Sequence, residues 1–244
     1  MKKKRLDILL YEKGLCESRS LAQKIIMAGE VSVDGQIAAR PSQLFHEKCR
    51  ITIKERPKYV SRGGYKLEKA LDEFGLGNLD GMACVDVGAS TGGFTDCLLQ
   101  YGASIVYAVD VGYGQLHYSL RANPKIVVME RTNVREIHQF PQPISLVTID
   151  ASFISLKTIL PVIRKWPFEK EMQIIALVKP QFEVGRDVAA RGKGVVSRPE
   201  DRQAVIDELT SFAVQGGFEF RNLIESPLKG PKGNTEFLMH IIYR

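Results

Sequence analysis

Cysteine is scarce in this chain: there are 4 in 244 residues, Cys16, Cys49, Cys84 and Cys97, and no two are spaced as Cys-x-x-Cys. That excludes the usual paired zinc ligands, and no metal is expected. Cys84 and Cys97 lie among apolar residues and read as packing groups rather than nucleophiles. Long apolar runs are also missing. None approaches the roughly 18 residues that a membrane span requires. The opening Met1-Lys2-Lys3-Lys4-Arg5-Leu6-Asp7 is basic but lacks the apolar stretch of a signal peptide. A cytoplasmic protein without a membrane partner is expected. There is no internal repeat and no low-complexity tract. Acids are the minority charge: 28 Asp and Glu against 34 Lys and Arg leave a net charge of +6. The resulting pI near 9.1 favours a polyanionic partner.

What is present begins with a glycine-rich turn. Ala83 to Val87 reads as an apolar strand. It runs into Gly88-Ala89-Ser90-Thr91-Gly92-Gly93, and a helix carrying Phe94, Leu98 and Leu99 follows. Glycine lets a ligand approach the backbone closely, and a helix start offers free N–H groups. The spacing decides which ligand. A dinucleotide fingerprint needs glycine where Ser90 stands. A phosphate-binding P-loop needs Lys after its last glycine, and Phe94 is there instead. The remaining pattern, D-x-G-x-x-x-G-G, resembles the first motif of S-adenosylmethionine-dependent methyltransferases. Asp110, 22 residues after Gly88, ends the next apolar run, Val106 to Val109. An acid at that point is placed to hold a ribose diol.

The chain reads as two parts. Residues 1–54 form a basic unit, 55–60 a linker, and 61–244 a larger unit. In the first, Leu9, Leu10 and Leu15, then Leu21, Ile25 and Ile26, predict two short amphipathic helices. Gly14 ends the first, and Ser18 stands in a polar cap before the second. Val31-Ser32-Val33 alternates into an Asp34-Gly35 turn, and residues 50–54 alternate again. This order, with Arg5-Leu6-Asp7, Ser18-Arg19 and Val31-x-Val33-x-Gly35, resembles the S4 RNA-binding domain. The resemblance implies RNA contacts at Arg5, Ser18, Arg19 and Lys24; a solvated charged surface is the alternative for each.

In the larger unit, a helix is predicted over Tyr65–Phe74 and strands over 83–87, 105–109, 126–129, 145–149, 173–178, 218–223 and 236–242. Helical segments separate most of them. That alternation predicts an α/β fold with a mostly parallel seven-stranded sheet covered on both faces. Ligands of such sheets bind beyond the carboxyl ends of the strands, where Gly88, Asp110 and Asp150 fall.

Four ionisable residues stand at informative points: Lys66 after Gly63-Gly64, Asp150 and Lys179 directly after apolar strands, and Glu236 at the last strand. In order and context they resemble the Lys-Asp-Lys-Glu tetrad of FtsJ-type RNA 2′-O-methyltransferases. With the S4-like start, the whole chain resembles the TlyA (hemolysin A–type) family of ribosomal RNA 2′-O-methyltransferases. Longer phrases carry the likeness, among them Ser61-Arg62-Gly63-Gly64-Tyr65-Lys66-Leu67, Asp110-Val111-Gly112-Tyr113-Gly114-Gln115-Leu116 and Lys179-Pro180-Gln181-Phe182-Glu183. The resemblance implies a Rossmann-like class I methyltransferase domain and S-adenosylmethionine as cofactor. It implies ribosomal RNA or ribosomal subunits as partner and cytidine ribose as target.

The implied chemistry is deprotonation of a ribose hydroxyl, which is a poor nucleophile while it holds its proton. Lys179 is the expected base, Asp150 its orienting group, Lys66 a neighbouring cation, and Glu236 a holder of Lys66 or of the ribose. For the cofactor, Gly88, Ser90, Gly92 and Gly93 are expected around the methionine part. Asp110 is expected at the ribose and Asn133 and Val134 at the adenine, with a plain turn role as the alternative for Asn133. Phe182 to Pro199, rich in Gly and Arg, is expected to hold the RNA backbone. Phe153 or Phe182 could stack on a splayed base or pack in the core. Rival chemistries lack their residues: no Pro-Cys pair serves cytosine C5 methylation, and Asp150-Ala151-Ser152-Phe153 lacks the prolines typical of amine methylation. A non-catalytic RNA-binding factor would not need the tetrad. A haemolysin would need membrane-spanning segments that are not there.

Overall fold

A computed structural model of the chain describes residues 3–54, 57–184 and 194–244. The chain divides into two compact units, Met1–Pro57 and Lys58–Arg244.

The smaller unit contains β1 (Lys3–Arg5), α1 (Leu6–Glu12), α2 (Arg19–Met27), β2 (Val31–Val33), β3 (Gln36–Ile37), β4 (Leu44–His46) and β5 (Ile51–Ile53). Leu6 and Leu10 of α1 meet Ala22, Ile25 and Ile26 of α2 over Val31 and Val33. The helices bury the residues at i, i+3 and i+4 that their sequence marks as apolar. Ser18 caps α2, its Oγ accepting from the Leu21 N–H at 3.1 Å. The antiparallel β1–β4 pair has no counterpart in the sequence reading. Its three-residue strands, Lys-Lys-Arg and Leu-Phe-His, are too short to show a period.

In the larger unit α3 (Gly63–Glu73) precedes a seven-stranded sheet. The strands are β6 (Ala83–Val87), β7 (Ile105–Val109), β8 (Ile126–Met129), β9 (Leu146–Ile149), β10 (Met172–Val178), β11 (Glu219–Glu225) and β12 (Phe237–Tyr243). Their order is β11-β12-β10-β9-β6-β7-β8, and β12 alone runs against its neighbours. Strand order reverses about β6, with β7 on one side and β9 on the other. That opens a crevice at the carboxyl ends of these strands. Every residue of β6 is buried, because apolar side chains cover both faces. Val85 and Val87 face a cluster with Ile149, Ile174 and Trp166. Cys84 faces Leu98, Leu146 and the α3 residues Leu67 and Leu71. Burial pushes the Cys84 and Cys97 thiols up to about 12, as suits inert packing groups.

Several boundaries differ from the sequence reading, among them the start of α3, at Gly63 instead of Tyr65, and the end of β11, at Glu225 instead of Leu223. Tyr59, within the stretch read as a linker, is 2% exposed and packs in the larger unit's core; the Val60 N–H donates to Asp96 Oδ2 at 2.8 Å. Glu236 precedes β12 instead of opening it. Phe182, the first residue of the segment expected to hold the RNA backbone, lies in a short helix, α7 (Pro180–Glu183). Residues 185–193 of the expected RNA-holding segment lie outside the described residues. Among the described residues no helix is long and apolar enough to cross a membrane.

Candidate active site

The glycine-rich turn folds back onto the end of β7. The N–H groups of Gly88 and Ala89 both donate to the Val109 carbonyl, at 2.8 and 3.1 Å. The Ser90 N–H donates to Asp110 Oδ2 at 2.8 Å and the Gly112 N–H to Oδ1 at 2.7 Å. Asp110 thus fixes the turn while each carboxylate oxygen keeps a lone pair for a further donor. Gly88 takes φ +87°, and a Cβ there would lie 2.8 Å from the Asp150 carbonyl oxygen. The backbones after β6 and β9 can approach this closely only because that atom is missing.

Beneath the turn lies a residue whose role the sequence does not announce. Asp86 is fully buried in mid-strand. Its Oδ2 accepts from Thr95 Oγ1 at 2.6 Å and its Oδ1 from Thr148 Oγ1 at 3.2 Å. It ties β6 to β9 and to α4 (Gly93–Gln100). Desolvation outweighs these bonds and pushes the carboxyl up to about 7. Its place in the D-x-G pattern was the available signal.

Two cavities open at this sheet edge. One, about 540 Å³, is bordered by Val87, Asp110, Asn133, Val134 and Ile159. The other, about 500 Å³, is bordered by Ser61, Arg62, Lys66, Gly93, Lys179 and Gly230. Gly88, Ser90, Asp150 and Ser152 border both. The volumes suit small-molecule ligands. The first cavity offers an apolar wall for a base and an acid for a diol, so its residues fit an adenosyl group.

In the second cavity two ion pairs stand together. Lys66 Nζ lies 2.6 Å from Glu236 Oε2. Lys179 Nζ lies 2.7 Å from Asp150 Oδ1, 2.8 Å from Ser152 Oγ and 3.3 Å from the Asp150 carbonyl oxygen. Glu236 is 1% and Lys179 8% exposed. Charges so removed from water persist only when paired. Glu236 Oε1 is buried without a hydrogen-bond partner. It sits where a Cβ on Gly230 would be, so the β11–β12 loop closes over it only with glycine at that point.

The structure therefore brings Lys66, Asp150, Lys179 and Glu236 together, with Glu236 set behind Lys66. It also brings Gly88, Ser90, Asp110, Asn133 and Val134 to the adjoining cavity, and Gly93 to the second. It does not bring Gly92 to either. A Cβ at Gly92 would meet Leu116 and Leu120, so this glycine serves packing. Asn133 also acts as a turn residue, its Oδ1 accepting from the Arg135 N–H at 3.1 Å. Phe153 is 90% exposed with φ +63°, which removes core packing as its role. Its ring lies 4.9 Å from that of Phe182.

In the smaller unit, Arg5 pairs with the buried Asp7 through two bonds of 3.0 Å. Arg19 reaches the same carboxylate at 3.4 Å and Gln23 at 2.8 Å. The Arg5 guanidinium holds the Asp7 carboxyl well below its usual range. Lys24 is exposed, and Ser18 is engaged as the cap of α2.

Comparison with known proteins agrees with this architecture. Residues 59–243 match the FtsJ-like methyltransferase family and residues 4–48 the S4 domain. A Bacillus subtilis protein described as a candidate rRNA methyltransferase, YqxC, is 46% identical over 98% of this chain and 86% of its own. The Mycobacterium tuberculosis 16S/23S rRNA (cytidine-2′-O)-methyltransferase TlyA is 42% identical over 96% of this chain and 88% of its own. A solved structure from Streptococcus thermophilus, described as a candidate hemolysin, superposes with a TM-score of 0.74 at 43% identity. It covers 100% of this chain and 89% of its own. The chain belongs to the TlyA (hemolysin A–type) family, in which an S4 domain precedes an FtsJ-like, S-adenosylmethionine-dependent methyltransferase unit.

Proposed function

We propose that this protein methylates the 2′-oxygen of a ribose, cytidine by analogy with its M. tuberculosis relative, in ribosomal RNA. The carrying observation is the pairing of Lys179 with Asp150 and of Lys66 with Glu236 around one cavity that shares Gly88 and Ser90 with the cofactor-sized cavity. When bound, S-adenosylmethionine supplies a methyl group on a positively charged sulfur.

The chain's own residues do the rest. Lys179 Nζ, as the neutral amine, takes the proton from O2′. Asp150 Oδ1 holds that amine in place. Lys66, fixed by Glu236, contributes positive charge beside the oxygen as it loses its proton. Asp110 and the backbone of the glycine turn hold the cofactor so that the methyl group and O2′ meet in line, which supplies much of the rate. Phe153, exposed at the rim, offers an aromatic face to an unpaired base. Arg5, Arg19 and Lys24 of the smaller unit contact RNA phosphates, with Asp7 presetting the two arginines. Ser18 supports them by starting α2.

The test is incubation of the protein with methyl-labelled S-adenosylmethionine and small or large ribosomal subunits lacking the modification, with Lys179→Ala alongside. Label is expected on a ribose 2′-oxygen and is expected to disappear in the variant. Label on a base would overturn the proposal.

A further inference from the structure

The Lys179 amine has more partners than the tetrad supplies. Its two short contacts go to Asp150 Oδ1 at 2.7 Å and to Ser152 Oγ at 2.8 Å; the third, to the Asp150 carbonyl oxygen, is 3.3 Å long. Ser152 borders both cavities, so this residue stands where they join. We propose that Ser152 is a positioning residue that, together with Asp150, directs the lone pair of Lys179 at the substrate hydroxyl. The inference rests on Lys179 being the base.

The number of donors sets the direction of the lone pair. An ammonium has three N–H donors, and three acceptors surround it. A neutral amine has two N–H donors and one lone pair. If the two short bonds persist on deprotonation, both remaining N–H groups are occupied. The long contact to the Asp150 carbonyl is the one given up, and the lone pair is confined to the single direction that neither Asp150 Oδ1 nor Ser152 Oγ holds, turned away from that carbonyl oxygen. Asp150 alone would leave the amine free to turn about its one strong bond, and the lone pair would sample several directions. Ser152 removes that freedom. The step balances simply: the O2′–H bond breaks, its proton joins Lys179, and the ammonium regains its third donor.

The loop carrying Ser152 is itself fastened. Glu183, four residues after Lys179, accepts from Ser155 Oγ at 2.6 Å through Oε2 and from the Leu156 N–H at 2.8 Å through Oε1. Ser155 in turn caps α6 (Leu156–Ile163). The segments after β9 and β10 are thereby stapled together a second time, beside the Lys179–Ser152 bond in sequence. A hydroxyl on so fixed a loop can set direction as well as distance.

The other charged groups bordering the second cavity are Arg62, Lys66, Asp150 and Lys229, and Glu236 stands behind Lys66. None of them is removed by changing Ser152, so a change in pH response can be traced to the hydroxyl.

The experiment compares the full-length wild type, Ser152→Ala, Ser152→Thr and Lys179→Ala, with subunit substrate and measured S-adenosylmethionine affinity. Ser152→Ala is expected to lower kcat about tenfold, the worth of one hydrogen bond to a charged group, with KM and cofactor affinity unchanged. Its rate–pH profile is expected to differ from that of the wild type, because the hydroxyl contacts the amine directly. Ser152→Thr, which keeps the hydroxyl, is expected to recover both kcat and the profile. Lys179→Ala is expected to abolish turnover. Unchanged kcat and profile in Ser152→Ala, with Lys179→Ala dead, would overturn the role of Ser152 and leave the base standing. Activity surviving in Lys179→Ala would overturn the base itself. A fall in kcat that Ser152→Thr fails to restore, with no change in profile, would mark Ser152 as merely structural and also sink the proposal.

Discussion

Single residues carry the chemistry here because their surroundings leave them few alternatives. Lys179 is nearly buried, and its direct partners are Asp150 and Ser152. Replacing it with alanine is expected to take turnover below detection, because the positioned base is gone, while cofactor binding measured by calorimetry persists. Gly88→Ala should fail differently. The new methyl would press on the Asp150 backbone at a positive φ, so a loss of about 1–3 kcal/mol in stability is expected, together with weakened cofactor binding. A thermal melt with and without S-adenosylmethionine separates the two effects. Both residues could be picked from the sequence, one by its place after an apolar strand and the other by the turn pattern. Ser152 could not, since a lone serine in Asp-Ala-Ser-Phe has many roles. Only its 2.8 Å approach to Lys179 distinguishes it.

At the scale of elements, the two units respond oppositely to acid through their buried carboxylates. Asp7 is held below its usual range by Arg5. Its folded form therefore binds fewer protons than the unfolded one, and its contribution to stability is lost as pH falls below about 4. Asp86 is pushed up to about 7 by burial. Between the ordinary carboxylate value near 4 and about 7 the folded form binds more protons than the unfolded. Stability contributed by this group is present at low pH and lost as pH rises through 7. Asp86→Asn should flatten the fall in stability between about pH 4 and 7 seen by denaturant titration; an unchanged slope there would show that Asp86 is already ionised. In the smaller unit, Ser18→Ala removes the cap of α2 and should cost about 1 kcal/mol. The elements themselves were legible where periodicity was strong. β6, β7 and β8 fall at 83–87, 105–109 and 126–129 as expected. The β1–β4 pair was not, because neither strand is long enough to alternate.

For the whole molecule, the basic excess is expected to show as salt dependence. The logarithm of the affinity for ribosomal RNA should fall linearly with the logarithm of salt concentration. Removing Arg19 and Lys24 should flatten that line by about 0.7 to 0.9 for each phosphate no longer neutralised. A slope unchanged in the double variant would take the RNA contacts away from this face.

The sequence by itself determined the class of the molecule. Local patterns suffice for that: an apolar strand, a glycine turn and an acid at the next strand end all lie within 28 residues, from Ala83 to Asp110. Tertiary structure decided which charges meet. Lys66 and Glu236 are 170 positions apart and lie 2.6 Å from one another, a relation that no local period encodes. It arises because α3 packs beside α4 at the glycine turn, while β12, inserted antiparallel between β10 and β11, returns the chain to the same edge. The same folding took Gly92 away from both cavities, since its surroundings are set by Leu116 and Leu120, which come after β7. Residue type and spacing fix what a segment can do; burial and approach across the sheet fix whether it does so, because a charge is held unhydrated only where a distant partner arrives to meet it.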